Sequence, residues 1–580
     1  MEEIKRSYYN NDLSIKNVGE HVFLLGWVSK KRDLGSITFV DLRDTTGIVQ
    51  LLIDNEKHNF PSVNREYLIH VSGIVSKKEI PNKNLKTGEI EVVLDSLEII
   101  NESETTPMLI ENDTDALEDL RLKYRYLDLR RPIMQDYLKM RAKVVKAVHE
   151  YLDSKNFYEI ETPILTLSTP EGARDYLVPS RVNKGQFYAL PQSPQLFKQL
   201  LMISGFERYY QVARCFRDED LRADRQPDFT QIDIEMSFLT QEQILVMMEE
   251  LLQKIFKEAA NYDIQLPLRR MKYDDAVNMY GSDKPDTRFD LTLLDVTNLL
   301  KTTEFGVFQN ANAIKGIKID NVAATFTRKY QDNLNLTAKK FNMNNYFFIK
   351  FENGNITSSI LKFLNEEIIE KLKEIFSVTN DTVICLAAST SKRDVNFGLG
   401  ALRTQLAKEF NLINKDVHDL LWVVDWPLFE YDETTKTVSP NHHPFTRPKD
   451  EDLPKLMTHP EEVYAYCYDI VIDGYEAGGG SLRIYDGKVQ SQIFELLGFT
   501  EADIQRKFGW FIDAFKYGTP PHAGIAFGLE RLTMVLAKTD NIRDVIAFPK
   551  NLKARCPMTN APQEVADDQL EELSIKVIKE

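Results

Sequence analysis

The stretch RCFRDEDLRADRQPDFTQID, Arg214 to Asp233, combines a strand-like run, a loop rich in arginine and aspartate, and a second strand. Arg217 and Glu219 stand two positions apart, which on a strand would place both side chains on one face of a sheet. An arginine held there can bind a phosphate through two parallel hydrogen bonds. A salt-bridged surface hairpin is the alternative. The alternation of apolar and polar residues in QIDIEM favours a half-buried strand that lines a cavity.

Two further stretches pair a strand-like run with charged residues. FYEIETPILTLSTPEGARDYLVPS, residues 157–180, has a strand that ends at Pro163, followed by Glu171 beside a glycine. That pair suits either a mobile loop over a site or an ordinary turn. PPHAGIAFGLERLTMVL, residues 520–536, is a strand with glycines that turns into a helix near Arg531. An arginine at this position can reach a terminal phosphate, although the helix could also serve packing alone.

The composition is that of a folded multidomain protein. Of the 580 residues, 43% are hydrophobic and 28% are charged, and a chain of this length is expected to form several domains. No apolar run is long enough to span a bilayer, and the beginning, MEEIKRSYYNNDLS, lacks the pattern of a secretory signal. The four cysteines are scattered without CxxC spacing. This predicts a reducing, cytoplasmic location and argues against a zinc site or a disulfide framework.

The net charge of −16 argues against nucleic-acid binding by the chain as a whole, because an acidic field repels phosphate. Local basic clusters qualify this objection. Lys30 to Arg32 form one cluster, and the other comprises Arg121, Lys123, Arg125, Arg130 and Arg131. Each cluster could equally be a solvated face.

The pattern along the chain predicts a multidomain α/β and β protein. Residues 1–104 read as five short strands separated by glycine-containing turns, which suits an OB-fold barrel, with an SH3-like barrel as the alternative. Residues 105–135 read as a hinge. Residues 136–285 and 416–580 carry the charged motifs, and residues 286–415 between them read as a self-contained α/β insertion.

The three charged stretches, taken in order, resemble the motifs of class II aminoacyl-tRNA synthetases. A strand ending in proline (Pro163), an arginine-x-glutamate element on a strand–loop–strand (Arg217–Asp218–Glu219) and a glycine-rich strand–helix with a late arginine (Gly528–Leu529–Glu530–Arg531) occur in that order. The resemblance implies an antiparallel-sheet catalytic domain with helices, and a homodimer formed through the first motif.

Within that class the chain most resembles the bacterial-type aspartyl-tRNA synthetases of subclass IIb, over nearly its whole length. GWVSKKRDLGSITFVDLRD resembles their anticodon-binding barrel, and QSPQLFKQ, HHPFT and GYEAGGGSLRI resemble their active-site elements. The insertion at 286–415 stands where this bacterial branch carries an extra domain, which archaeal-type and eukaryotic relatives lack.

The resemblance implies a reaction in two steps and a role for each matched residue. L-Aspartate reacts with ATP to give aspartyl-adenylate and pyrophosphate, and a ribose hydroxyl of the terminal adenosine of tRNA then takes the aspartyl group. The residues implied for catalysis are Arg217, Glu219 and Arg531. Those implied for ATP binding are Arg217, Asp218, Glu219, Gln226, Glu476, Gly528, Leu529, Glu530 and Arg531. Those implied for aspartate binding are Glu171, Ser193, Gln195, Lys198, Arg217, Asp233, His442 and Arg483.

The resemblance further implies Mg²⁺ and tRNA as partners. Asp469 and Glu476 match the Mg²⁺ ligands, and hard carboxylate oxygens suit this ion; their spacing of seven fits either two turns of a helix or a strand-and-turn path. In the barrel, Phe39 is expected to stack on an anticodon base, although barrel core is the alternative. Gln50 is expected to read a base, and Lys30 and Arg32 to bind phosphates.

Three other functions compete with this interpretation. A sister enzyme for asparagine or lysine is disfavoured by Lys198, Arg483 and the HHPFT segment, since a cation selects a carboxylate over an amide. A non-catalytic RNA-binding paralogue would have lost Arg217, Glu219 or Arg531. An ammonia-dependent asparagine synthetase would lack residues 1–104. Relaxed specificity that includes tRNA(Asn) stays open, with Leu34 favouring the form that charges tRNA(Asp) alone.

Overall fold

The computed structural model describes residues 5–168, 173–432 and 435–578. The chain divides into two compact units, Met1–Met140 with Arg543–Glu564, and Arg141–Ile542 with Val565–Glu580. Among the described residues, none of the helices has both the length and the apolar character that a bilayer crossing requires.

A closed five-stranded barrel forms most of the first unit, in the order β1-β2-β3-β5-β4. Its strands are β1 (His21–Asp33), β2 (Ile37–Arg43), β3 (Ile48–Asp54), β4 (Leu68–Lys77) and β5 (Ile90–Asn101). β3 and β5 pair in parallel, and the other pairs are antiparallel. Every second residue of β1 from Val22 to Val28 points inward and is buried, so the alternation that predicts strands also fills the barrel.

A buried group of charges holds together the rest of this unit, which includes α1 (Glu118–Lys123) and α2 (Arg125–Asp128). The Asp128 carboxylate is fully buried and accepts from Arg121, Arg125 and Arg131 at 2.6 to 3.3 Å. The structure therefore uses these arginines of the second basic cluster as internal ion pairs. Arg130, from the same cluster, donates to Glu66 at 2.9 Å.

An eight-stranded sheet is the centre of the second unit, in the order β11-β17-β20-β21-β22-β10-β9-β6. Its strands are β6 (Tyr158–Glu159), β9 (Arg208–Phe216), β10 (Asp228–Ser237), β11 (Arg269–Lys272), β17 (Leu420–Pro427), β20 (Tyr464–Ile472), β21 (Tyr475–Leu482) and β22 (His522–Gly528). Only the two edge strands, β11 and β6, pair in parallel with their neighbours; the six between them are antiparallel. The antiparallel catalytic sheet expected from the resemblance is confirmed.

Helices and two small hairpins surround this sheet. The helices are α3 (Pro132–Ser154), α4 (Gln195–Ile203), α5 (Gln241–Ala260), α6 (Tyr273–Tyr280), α12 (Gly487–Leu496), α13 (Glu501–Ala514), α14 (Leu529–Leu536) and α15 (Asp567–Glu572). The hairpins pair β7 (Leu177–Pro179) with β8 (Phe187–Ala189), and β18 (Phe429–Asp432) with β19 (Thr437–Pro440). On α3 the buried residues recur at helical spacing, at Val144, Ala147, Val148, Tyr151 and Leu152.

A separate antiparallel sheet lies within residues 286–415, in the order β12-β13-β16-β14-β15. Its strands are β12 (Leu294–Asp295), β13 (Ala313–Asp320), β14 (Phe347–Glu352), β15 (Asn355–Ser358) and β16 (Thr382–Ser389). Apolar cores cover both faces, one packed on α9 (Arg328–Lys339) and α11 (Lys392–Glu409). The other packs on α7 (Thr297–Leu300), α8 (Gly306–Gln309) and α10 (Glu366–Ile375). This is the α/β organisation expected of the insertion; the domain limits at 104, 135, 285 and 415 stay predictions.

Candidate active site

A cavity of about 420 Å³ opens in the second unit beside strands β10, β21 and β22. It brings together most of the residues singled out in the sequence, namely Ser193, Gln195, Lys198, Arg217, Glu219, Gln226, Asp233, His442, Glu476, Arg483, Gly528, Glu530 and Arg531. These residues come from segments more than three hundred positions apart. Its size is that of a small-ligand site.

Three of the implied residues that the structure describes do not line this cavity. Asp218 pairs through its backbone with Arg174 instead. Leu529 is fully buried at the start of α14. Asp469 lines an adjoining cavity of about 280 Å³. Glu171 lies outside the described residues.

Arg217 and Glu219 lie in the loop between β9 and β10, not on a strand. β9 ends at Phe216, so the expected placement through strand alternation is wrong, although both side chains do reach the cavity. The Arg217 guanidinium lies 5.2 Å from the centre of the Phe229 ring. Glu219 accepts from Arg225 at 2.8 Å. Loop contacts, not the pleat of a sheet, therefore position this pair.

The floor of the cavity is a group of four buried charges. Lys198 donates to Asp233 at 2.7 Å and lies 3.2 Å from Glu235. Arg483 binds both oxygens of Glu235, through Nε at 2.9 Å and Nη2 at 3.0 Å. Two cations thus face two carboxylates with no net charge between them. Burial would raise the pKa of Glu235, but Arg483 and Lys198 lower it to about 2, so this carboxylate is ionised.

Glu235 was not among the sequence-predicted residues. It stands two positions after Asp233 on β10, and the period of two along a strand puts both on the same face. Its neighbour across the sheet is Gly524. A Cβ atom there would lie 1.7 Å from Glu235 Oε2, so glycine is required for Glu235 to extend to Arg483.

Three polar atoms of cavity-lining side chains are buried with no hydrogen-bond partner among the described residues. They are the acceptor Oδ2 of Asp233 and the donors Nε2 of Gln195 and Nε of Arg531. Burial also raises the pKa of Asp233 despite the nearby Lys198. An unsatisfied buried polar group costs about 1–3 kcal/mol, and such a cost is expected where a ligand supplies the missing partner.

Two cavity-lining residues at the β22–α14 junction, Glu530 and Arg531, make hydrogen bonds and ion pairs to neighbouring segments. Arg531 donates to the Glu476 carbonyl at 2.5 Å and lies 3.3 Å from Asp224. Glu530 is 2% exposed, and its two carboxylate oxygens accept from Arg141 and from the Thr230 backbone. The Glu530 carboxylate is thus engaged in holding β10 and α3.

Two adjacent histidines border the charged floor. His443 Nε2 lies 2.6 Å from Arg483 Nη1 and accepts its hydrogen bond. Burial, with the neighbouring His442 and Arg483, holds the pKa of His443 well below its usual value. The His442 ring is open to the cavity but enclosed by protein on its sides, and this enclosure together with Arg483 and Lys198 also lowers its pKa. Both rings are therefore neutral near pH 7.

Asp469 and Glu476 lie on two antiparallel strands, β20 and β21, which selects the strand-and-turn path over the helix. Asp469 Oδ1 is buried without a partner among the described residues. Burial and the nearby Glu476 and Asp283 carboxylates raise the pKa of Asp469 well above its usual value. Two close carboxylates with an unpartnered oxygen fit a hard divalent cation, which would supply the missing positive charge.

Comparison with known proteins assigns the chain to a family. Residues 117–552 match the model described as tRNA synthetases class II (D, K and N), and residues 22–100 match the OB-fold nucleic acid binding domain. Aspartate–tRNA ligase of Halalkalibacterium halodurans is 50% identical over 99% of this chain and 98% of the relative. The chain belongs to the bacterial-type aspartyl-tRNA synthetase family. Aspartate–tRNA(Asp/Asn) ligase of a Geobacillus species is also 50% identical, over 99% and 98% of the two chains.

Solved structures of synthetases share the fold. Asparaginyl-tRNA synthetase from Pyrococcus horikoshii, complexed with asparaginyl-adenylate, superposes with a TM-score of 0.60 at 19% identity, over 94% of this chain and 98% of that one. Aspartyl-tRNA synthetase from Entamoeba histolytica gives 0.58 at 19% identity, over 94% and 92%. Because residues 22–100 match the OB-fold model, the barrel is an OB-fold and not the SH3-like alternative.

The family assignment also decides among the competing functions. An ammonia-dependent asparagine synthetase is excluded by the barrel, which the match covers at residues 22–100. A sister enzyme for asparagine or lysine is disfavoured by the full-length aspartate–tRNA ligase relatives. A non-catalytic paralogue would lack Arg217, Glu219 or Arg531, and all three line one cavity.

In the barrel of this synthetase, the four predicted anticodon residues share one outer face. Arg32 pairs with Phe39 across β1 and β2, and Lys30 and Gln50 both pair with Asp41. Phe39 is half-buried and outside the barrel core, which excludes the core interpretation. The Arg32 guanidinium lies 5.8 Å from the Phe39 ring centre.

Proposed function

We propose that this chain activates L-aspartate with ATP and transfers the aspartyl group to the 3′-terminal adenosine of tRNA(Asp). The observation that carries the proposal is the neutral four-charge floor of Lys198, Asp233, Glu235 and Arg483 in a cavity that also holds Arg217. A small zwitterion with an extra carboxylate fits this floor. The cations can bind its carboxylate, and the Asp233 oxygen that lacks a partner among the described residues can bind its ammonium group.

Aspartate selectivity follows from what each end of the floor can bind. Within the part of the chain that the structure describes, Asp233 Oδ2 is the one acceptor of the floor without a hydrogen-bond partner. With Ser193 and Gln195 also lining the cavity, this oxygen suits the α-ammonium. The side-chain carboxylate of the substrate then faces Lys198 and Arg483. An asparagine amide there would turn N–H groups toward donors, and such buried mismatches reject an analogue strongly. His442 would close the site over the bound amino acid.

ATP activation depends on positive charge at the phosphates. Among the described residues Arg217 has no carboxylate partner, so its charge is free to bind the α-phosphate and the attacking carboxylate. Arg531 would bind the γ-phosphate, and Glu219 and Gln226 the adenine end of the nucleotide. A substrate carboxylate oxygen attacks the α-phosphorus and pyrophosphate leaves.

In the second step a ribose hydroxyl of the terminal adenosine attacks the activated carbonyl. The carbon–oxygen bond to the adenylate breaks, AMP leaves, and the hydroxyl proton passes to an acceptor in the complex. The role of the chain in both steps is positioning and charge stabilisation.

We propose Asp469 and Glu476 as ligands of Mg²⁺. The support is the buried unpartnered Oδ1 of Asp469 close to a second carboxylate. Bound there with the nucleotide, Mg²⁺ would neutralise charge on the phosphates. The residues that hold it belong to the β20–β21 hairpin, so the hairpin would set its position relative to Arg531, which donates to Glu476.

The outer face of the barrel is the proposed anticodon site. Phe39 would stack on a base, Gln50 would read one, and Lys30 and Arg32 would bind phosphates. The names of the relatives include tRNA(Asn) as well as tRNA(Asp), whereas Leu34, which is 70% exposed, favours tRNA(Asp) alone. Charging of the two purified tRNAs side by side decides between these outcomes.

We propose a homodimer and a cytoplasmic location. Tyr158, Ile164, Leu165 and Phe206 are large apolar side chains that are 44% to 59% exposed in or near the first motif. A patch of this kind marks a contact surface. Ile164→Asp should lower the mass measured by light scattering from that of two chains to that of one.

The cytoplasmic location is supported by the cysteines. All four are free thiols, which is typical of proteins in a reducing compartment.

The test of the proposed function is amino-acid-dependent exchange between ATP and pyrophosphate. Aspartate should support exchange in the presence of Mg²⁺, and asparagine and lysine should not. Equal exchange with asparagine would overturn the assignment of the charged floor to the side-chain carboxylate.

A further inference from the structure

The second cavity, of about 280 Å³, is lined by a thiol, Cys467, that the proposed reaction does not use. His442, Cys467 and Asp469 each offer one ligand atom, and all three atoms lie within 4.8 Å of one another. A nitrogen, a sulfur and a carboxylate oxygen in one small space form a donor set for a transition metal ion rather than for Mg²⁺.

The fold assembles this group from two segments. Cys467 and Asp469 stand two positions apart on β20 and therefore share one face of the sheet, where both line the cavity. His442 comes from the loop after β19. Gly479 lies beside two of the ligand atoms. A Cβ atom on this residue would lie 2.6 Å from Asp469 Oδ1 and 3.7 Å from His442 Nε2. Glycine leaves that space open.

One ligand atom of the three needs a partner. Asp469 is 7% exposed, and its Oδ1 has no hydrogen-bond partner among the described residues. The described side chains that line the cavity include the carboxylates of Asp283, Glu430 and Glu476 and neither a lysine nor an arginine. The cavity therefore attracts a cation and offers it a buried oxygen.

We propose that His442, Cys467 and Asp469 bind a thiophilic divalent cation, Zn²⁺ in the first instance, and that its occupancy blocks aspartate activation. A thiolate and a carboxylate together balance the charge of one such ion. Zn²⁺ binds sulfur at about 2.3 Å and nitrogen or oxygen at about 2.0–2.2 Å, so tetrahedral ligands lie about 3.3–3.7 Å apart. The three groups need to close by at most about 1.1–1.5 Å to reach this geometry, and a water completes it.

Blocking follows from the shared residues and rests on the proposed function. A Zn²⁺ ion at this point takes Asp469 from its proposed Mg²⁺ and holds the His442 ring away from the amino acid. The scattered cysteines argued against a zinc site at the level of sequence. Zinc sites with several cysteines show regular cysteine spacing, whereas this site has a single thiol, and the fold brings its other two ligands to it.

Metal binding to the full chain without substrates tests the site itself. Wild-type protein should bind one Zn²⁺ in isothermal titration, and Co²⁺ in its place should produce a thiolate-to-cobalt charge-transfer band. Cys467→Ala and the nearly isosteric Cys467→Ser should both lose the band and weaken Zn²⁺ binding by more than about tenfold. Cys556→Ser, a matched variant at another buried free thiol, should keep both. Unchanged binding in the Cys467 variants, or no band in the wild type, overturns the site.

Inhibition is tested separately, so that the site and the proposed function can fail independently. Zn²⁺ should inhibit aspartate-dependent pyrophosphate exchange in the wild type at least about ten times more potently than in Cys467→Ala, whose activity without Zn²⁺ should equal that of the wild type. Equal potency in the two proteins overturns the blocking role. Zn²⁺ binding in a chain that fails to activate aspartate would leave the site intact and reject the function.

Discussion

Replacing Arg483 by lysine tests how the site recognises aspartate. The arginine is 2% exposed and binds Glu235 through two nitrogens, with Ser481 Oγ at 2.7 Å from Nη1. A lysine keeps the positive charge but loses the planar fork. The change therefore separates the geometry of recognition from its net charge.

The expected magnitude follows from the bonds that are lost. A hydrogen bond to a charged group contributes about 1.5–3 kcal/mol, and each 1.4 kcal/mol is a factor of ten. Loss of one such bond to the substrate carboxylate should raise the KM for aspartate by about 10- to 100-fold. The KM for ATP should change by less than about threefold, since Arg483 lies on the floor beside Asp233 and Glu235.

The assay is pyrophosphate exchange with aspartate and ATP varied in turn. Arg403→Lys is the matched control, because Arg403 is also buried, at 1% exposed, and donates to the backbone carbonyls of Leu291 and Phe289, outside the cavity. The control should lose stability without a selective change in either KM. An equal rise of both KM values in Arg483→Lys, or an unchanged KM for aspartate, would refute the assignment.

Four other changes have expected outcomes of their own. Arg217→Ala should lower kcat for exchange by about 100- to 1000-fold, the cost of removing one stabilising donor, with an unchanged circular dichroism spectrum; wild-type exchange would contradict the role. Phe39→Ala should raise the KM for tRNA by about 5- to 150-fold, from the 1–3 kcal/mol of one base stack, and leave exchange unchanged. The control Phe23→Ala on the same barrel should change neither the KM for tRNA nor the exchange rate, and an unchanged KM for tRNA in Phe39→Ala would contradict the stacking role. Asp469→Asn should raise the Mg²⁺ concentration needed for half-maximal exchange by about tenfold or more, and an identical Mg²⁺ profile would exclude it as a ligand. Burial opposes ionisation of Asp128, but hydrogen bonds from its arginine partners lower its pKa below the usual 3.8, so its stabilisation is present above that pH and is lost as the pH falls through the lowered pKa. Asp128→Asn should therefore reduce the free energy of unfolding at pH 7 by about 3–5 kcal/mol and flatten its fall below about pH 4, as measured by urea denaturation; a variant as stable as the wild type would contradict this.

The sequence predicts those parts of the fold whose signal is local. Alternation along β1 to β3 predicts the barrel strands, and the apolar residues of α3 recur at helical spacing. Contacts that depend on packing gave no such signal. The second basic cluster read as a surface patch because nothing local shows that Asp128 is buried beneath it.

Two features of the site have a local signal in the sequence that the sequence analysis did not use. Asp473 and Gly474 have φ values of 55° and 82° at the tip of the β20–β21 hairpin, and Asp-Gly between apolar runs is a strong signal for such a turn. That signal would have placed Asp469 and Glu476 on paired strands. Glu235 could have been found from the alternation that starts at Asp233.

The approach of His442 to Cys467 has no counterpart in the sequence pattern. The two residues are 25 positions apart, and their proximity depends on the path of the loop after β19 and on the space at Gly479. Such a group becomes visible only once the loop after β19 is placed against strand β20, with the space at Gly479 of β21 between them.

The two-residue period of the barrel strands has a consequence for how this synthetase changes over evolutionary time. Val40 and Leu42 face the core, whereas Phe39 and Asp41 between them face outward. Substitution on the outward set alters no core packing, and surface changes usually shift stability by no more than about 0.5 kcal/mol. If the outward residues bind the anticodon as proposed, selection can change which anticodon is accepted, one outward residue at a time, with little change in the stability of the barrel.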